Sequence, residues 1–259
     1  MNDLYKKHNY LNKDLKYIKN AIIREYDMKN AGLSILKHNE LISLKEYNKL
    51  MNNYEKHERD VIVGKFLGEN TEISNELMKG FIEARKEFFE LNEIENSDVL
   101  SIKKDAIFLI NKIPKYQQIN DDYLFRNKNE YTSYINLKGK EFYYSVMNDK
   151  LDIKGFSKDI INNQKDYLFK FVKECLKIDS DNQSDNLFIK LLEFKNDFLE
   201  RNLDNDYYRD IIENQYLFSY SKCYTLSLND IDEDLKHGEY LNISNNLNFI
   251  LELISNLLA

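Results

Sequence analysis

The chain has 259 residues, 42% hydrophobic and 13% aromatic, with 19 Tyr, 15 Phe and no Trp. That is enough apolar material for a sizeable core, and with 31% charged residues it excludes an intrinsically disordered chain. The net charge of −7 argues against a general nucleic-acid coat, although residues 1–66 are basic, with 13 Lys and Arg against 9 Asp and Glu, while the remainder carries 24 against 35.

In chain order, the polar start from Asn2 to Lys7 has no leader-like apolar run. Leu4, Tyr5, Tyr10, Leu11, Leu15 and Ile18 suit a short amphipathic helix over 3–20. Residues 21–27 read as a strand, 29–38 as a turn into a helix, and 40–60 as polar helix. A helix is expected over 71–92, with Thr71 able to cap it and Ile73, Leu77, Phe81, Ile82, Phe88 and Phe89 on one stripe. The stretch VLSIKKDAIFLI, from Val99, predicts two short strands around a turn centred on Lys103-Lys104. EYTSYINLKGKEFYYSV predicts a hairpin turning at Lys138-Gly139, and KLDIKGFSKD another strand ending near Gly155. From about Ile160 the pattern turns helical, with candidates at 160–178, 185–202, 206–216 and 240–258.

The expected fold class is therefore α+β. An antiparallel sheet with packed helices over 1–159 is followed by a mostly helical region over 160–259. No apolar run approaches the roughly 18 residues of a membrane span, so no membrane partner is expected. Cys175 and Cys223 are isolated and fit a reducing, cytoplasmic setting.

Common catalytic signatures are missing. There is no phosphate-binding glycine loop, no nucleophile turn, and no partner at zinc spacing for His8, His38, His57 or His237. Chemistry would have to rest on carboxylates, lysines and arginines. Asp27 ends a strand-like run and Asp105 sits within a strand–turn–strand pattern. On neighbouring strands, two such groups would repel unless protonated or bridged by Mg²⁺. Spacing alone favours the plainer alternative, Asp27 as a helix cap and Asp105 as a turn residue.

EYDMKNAGLSILK resembles the first palm motif of family B DNA polymerases, in which a strand-ending Asp precedes a Ser-Leu-Tyr-Pro-Ser-like turn; Asp27 aligns with its metal-binding Asp, and Ser34, Ile35 and Leu36 with its end. VLSIKKDAIFLI resembles the second palm motif, with Asp105 on its second Asp. ISNELMKGFIEARKEFFE resembles the palm helix between them. EFYYSVMNDKLDIKGFSKD resembles the family's Lys-Gly element, placing Lys154 and Gly155 at the primer–template.

The resemblance implies a palm-like domain over 1–159, a thumb-like domain over 160–259, and template-directed nucleotidyl transfer. Asp27 and Asp105 would be catalytic and metal-binding, holding two Mg²⁺ or Mn²⁺ ions. Arg59, Lys65 and Gly32 would face the nucleotide. The implied partners are a primer–template, a nucleoside triphosphate, and a protein that completes the fingers.

The sequence also departs from the family. Lys103 and Lys104 replace the first Asp and the Thr of the second motif. Asn30-Ala31-Gly32-Leu33 stands where Ser-Leu-Tyr-Pro is expected, so Gly32 cannot exclude a 2′-hydroxyl. The fingers pattern is replaced by YEKHERDVIVGKFLGEN, and no proofreading domain is expected at this size. The alternatives are an inactive palm-derived module that binds nucleic acid or protein, and a helical interaction protein.

Overall fold

The computed structural model describes residues 3–137 and 139–155, and beyond them 175, 189–194, 196–197, 200 and 202. Of the helices expected after 160, only the helical residues at 175, 189–194 and 196–197 fall within this set; the rest lies outside the described residues. The fold is α+β. Among the described residues, seven strands are hydrogen-bonded in the order β1-β3-β4-β2-β5-β6-β7. They are β1 (Asn9–Leu11), β2 (Tyr17–Met28), β3 (Val99–Lys103), β4 (Ala106–Ile110), β5 (Phe125–Leu137), β6 (Lys140–Ser145) and β7 (Lys150–Lys154). Four helices fill the crossover from β2 to β3: α1 (Ala31–His38), α2 (Leu44–Asn53), α3 (Lys56–Glu69) and α4 (Thr71–Leu91).

The chain forms two compact units, one of residues 1–12 and 21–131, the other of 13–20 and 132–259. β2 and β5 each contribute to both. In the first unit β2 pairs antiparallel with β4, and β4 with β3. With β4 between them, β2 and β3 run parallel, so the four helices make a split β-α-β crossover. The pleat divides β2 cleanly. Tyr26 and Met28 join the helix-side core with Ile35, Leu77, Ala84, Phe88, Ile102, Ile107 and Phe125, and Phe88 stacks on Phe125 at 4.3 Å. Glu25 and Asp27 take the other face. β4 is buried on both faces, which explains why AIFLI is continuously apolar.

On α4, Leu77, Gly80, Ala84, Arg85 and Phe88 follow helical spacing toward the core. At Gly80 a Cβ would lie 2.2 Å from Ile35 Cγ2, so α1 and α4 cross where only a glycine fits. In the second unit the register Leu137↔Lys140 sets the β5–β6 hairpin, Tyr134 and Tyr143 pack at 5.0 Å, and buried Glu141 accepts from the Tyr143 hydroxyl.

Four expectations need correction. Residues 3–20 are not an amphipathic helix but a 3-10 turn (Leu4–Lys6), β1 and the start of β2. Pairing of Tyr10 with Ile102 at the edge of β3 outweighs a weak local helical pattern. The helix expected over 40–60 is two helices, because Tyr54 is extended and separate capping boxes, Ser43 with Glu46 and Glu55 with Glu58, start α2 and α3. Thr71 does not cap α4. It is the first helical residue, and the Asn70 side chain before it donates to Phe66 O of α3. The turn after β3 centres on Lys104-Asp105, since Lys103 pairs with Ala106 and Ile102 with Ile107. A turn one residue earlier would set Ile102 opposite Asp105 and break the core-facing pair.

Candidate functional site

Asp27 lies one residue from the end of β2, directly opposite Ala106 at the start of β4. Asp105, the residue before Ala106, is therefore its diagonal neighbour, although the two are far apart in sequence. Their carboxyls are hydrogen-bonded to each other. Such a contact requires one of them to carry the proton, and Asp105 is pushed up to about 6 by burial and then by Asp27. Asp27 caps no helix: α1 begins after Asn30, whose φ of 49° turns the chain out of the strand. Asp105 is a turn residue and a member of the pair at once.

The hairpin tip is held from below. Lys104, at φ 56°, donates its N–H to His8 O at 2.8 Å. Arg85, fully buried on α4, donates to Lys104 O and to Tyr5 O. Desolvation pushes the Arg85 guanidinium down to about 10, with Asp105 acting the other way, so it remains charged at neutral pH. It anchors the loop carrying Asp105. His8, pulled down by burial and by Arg85, is neutral at pH 7 and lies 3.5 Å from Arg85 Nη2.

On the other side stands a lysine the sequence did not single out. Lys128 of β5 has its Nζ 3.4 Å from Asp27 Oδ2 and 3.6 Å from Glu25 Oε1. Glu25 is wholly buried two residues before Asp27, and its Oε2 accepts from Asn129 Nδ2 and the Tyr131 hydroxyl. Burial works to lower Lys128, but Glu25 and Asp27 outweigh it and raise it.

Asp27 and Asp105 open onto a cleft of about 200 Å³. Its walls are the chain from Asp27 to Leu33, the α3 residues Lys56, Arg59, Asp60 and Val63, then Phe81, Lys104 and Asp105. Lys56, Arg59 and Asp60 share one face of α3 at helical spacing. Arg59 is fixed by donating to Tyr54 O at 2.8 Å and Asn30 Oδ1 at 3.5 Å. Gly32 lines the cleft with room to spare, since a Cβ there would meet only Val63 Cγ1 at 3.8 Å.

The structure thus gathers Asp27, Asp105, Arg59 and Gly32 around one opening. It does not bring Lys65 there: that side chain is exposed on α3 and is not among the lining residues. Lys154 and Gly155 belong to the other unit. Gly155 has a local explanation, because at φ 88° a Cβ would come within 2.3 Å of Gly139 O. Glu25, Lys56, Arg85 and Lys128 were not identified from sequence. Glu25 carried a usable signal, since a carboxylate at i−2 from Asp27 on a strand must share its face.

The donor set suits a divalent cation in part. Mg²⁺ often takes one or two carboxylates and fills its shell with water and phosphate oxygens, which Asp27 and Asp105 could provide for. Among the described residues, however, no group of three or more His, Cys, Asp or Glu is arranged to hold a metal ion. Among them, too, no helix is long and apolar enough to cross a membrane.

A family model described as Bacteriophage PBS1 gene 130 protein matches residues 1–259. No curated protein matches the chain.

Proposed function

From the premise that the chain belongs to the Bacteriophage PBS1 gene 130 protein family over its full length, we propose that its first unit carries out template-directed nucleotidyl transfer. The observation that carries this reading is the meeting of Asp27 and Asp105 at the mouth of a cleft walled by Lys56 and Arg59. A strand-ending carboxylate beside one from a two-strand turn is the arrangement the polymerase-palm resemblance calls for. That the split β-α-β order of β2, the helices, β3 and β4 brings these two carboxylates together supports the reading.

Asp27 and Asp105 would hold Mg²⁺ or Mn²⁺. When bound, the ion would neutralise phosphate charge and make the attacking hydroxyl more acidic. The other contributions come from the chain itself. Arg59, with its plane fixed by Tyr54 and Asn30, offers remaining N–H donors to phosphate oxygens. Lys56 adds positive charge on the same helix face, and Ala31, Gly32 and Leu33 of the first turn of α1 also line the cleft. Pockets that enclose a whole small ligand span roughly 300–1,000 Å³. At about 200 Å³ this cleft admits the phosphates and leaves base and sugar outside, where a template or a protein partner would complete their environment. Gly32 presents no side chain against a 2′-hydroxyl, so discrimination between ribose and deoxyribose should be poor.

The test is extension of a labelled primer on a primed template with Mg²⁺ or Mn²⁺ and all four nucleoside triphosphates. Wild type should incorporate nucleotide and lose that activity in Asp27→Asn and Asp105→Asn. Activity retained in both variants would overturn the reading. A second reading, an inactive palm-derived binding module, is favoured by Lys128, whose ammonium already lies against Asp27. It predicts binding of primed DNA, seen by fluorescence anisotropy, with no incorporation and no dependence on divalent cation.

A further inference from the structure

Asn30 lines the cleft where the chain leaves β2 and enters α1. Its φ of 49° and ψ of 40° lie in the left-handed region, which Asn tolerates better than most residues. Glycine would serve that backbone equally well, so the conformation does not account for the amide. The amide is used at both ends. Its Oδ1 accepts from Arg59 Nη2 at 3.5 Å, and its Nδ2 donates to Met51 Sδ at 3.8 Å. A guanidinium only donates and a thioether only accepts, so these two partners fix which way the amide faces. One side chain at the strand end thereby meets both α2 and α3. The other partner of Arg59, Tyr54 O at 2.8 Å, lies just ahead of α3 and belongs to the same local segment, so it cannot register Arg59 against β2. Among the described residues, Asn30 is what ties the guanidinium to the strand carrying Asp27. These contacts use two of the five N–H donors of Arg59 and leave three for the cleft.

We infer that Asn30 is a positioning residue: its amide aims the Arg59 guanidinium into the cleft and so sets how tightly the cleft holds a polyphosphate chain. This rests on the reading of Arg59 as a phosphate-binding group. An arginine ordered before its ligand arrives does not spend binding energy on being ordered afterwards.

The experiment titrates inorganic triphosphate into the full chain by isothermal calorimetry at neutral pH with EDTA, so that the chain's own groups alone are read. Asn30→Gly keeps the left-handed backbone and deletes only the amide. It should melt close to wild type yet bind triphosphate about fivefold more weakly, because Arg59 must then be ordered during binding. Arg59→Met should bind about thirtyfold more weakly, the size of a hydrogen-bonded charge. Adding Asn30→Gly to Arg59→Met should cost no more than about twofold further, since nothing is left to position. Asn30→Ala carries the same comparison should the glycine variant fail to fold, with circular dichroism verifying each protein. Unchanged triphosphate binding in Asn30→Gly would overturn the inference and leave Arg59 standing as a phosphate-binding group. So would losses that simply add in the double variant, which would make the role of Asn30 independent of Arg59. Absence of triphosphate binding in wild type would remove both the inference and the phosphate reading of the cleft beneath it.

Discussion

Asp105 illustrates how one side chain's surroundings set a measurable property. Burial and the Asp27 carboxyl push it up to about 6, so the folded protein binds that proton more tightly than the unfolded chain does. Its contribution to stability is intact below about pH 4 and is lost as pH rises through about 6. Asp105→Asn removes the repulsion. Relative to wild type it should therefore gain about 2 kcal/mol at pH 7.5 and nothing at pH 4, a figure reduced for the partial exposure of the carboxyl. Paired urea titrations at the two pH values measure the difference, and an equal shift at both would reject the coupled pair. Arg85 acts in the opposite sense. Arg85→Met strips the donors from two buried carbonyls, Tyr5 O and Lys104 O, and should cost about 3 kcal/mol by the same measurement. Lysine cannot span both acceptors and should recover less than half of that. Gly32 has no such constraint: it is helical, with space at its Cβ, so Gly32→Ala should leave the melting temperature unchanged or raise it slightly.

At the scale of elements, the crossing of α1 over α4 is governed by Gly80. Alanine would ordinarily favour a helix interior by about 1 kcal/mol. Here its Cβ would collide with Ile35 on α1, so Gly80→Ala should destabilise the chain by about 1–3 kcal/mol. Gly80→Ala with Ile35→Leu should be less damaged than Gly80→Ala alone, because the methyl at 2.2 Å is the Cγ2 branch on Ile35 Cβ, which leucine lacks. Thermal melts of the two variants decide this. The two hairpins differ in how far sequence anticipates them. The β5–β6 turn at Gly139 was legible because glycine at a turn is a direct conformational signal. The β3–β4 turn was legible in kind but displaced by one residue, since its placement depends on Ile102 facing Ile107 across the strands. The opening segment was misjudged because β1 exists only through its partner β3.

For the molecule as a whole, charge limits how any nucleic acid could be held. With a net charge of −7, association must come from local groups such as Lys56 and Arg59 rather than from a general field. Anisotropy at 0.1 M salt without divalent cation should give a Kd for random duplex DNA weaker than about 10⁻⁵ M, near the weak end of non-specific binding. A tight, cation-independent complex would show that a basic surface elsewhere dominates. Sequence by itself determined the α+β class of the described part, most of its strands, the long α4 stripe and the two carboxylates to examine. These follow from periodicities of two and 3.6 residues and from turn chemistry, all local properties of the chain. Tertiary structure alone decided that Asp27 and Asp105 hydrogen-bond, that Arg85 supports one of them and that Lys128 sits against the other. Those contacts join residues 19 to 101 positions apart, and strand order and register, which no short window of sequence encodes, are what bring them within reach.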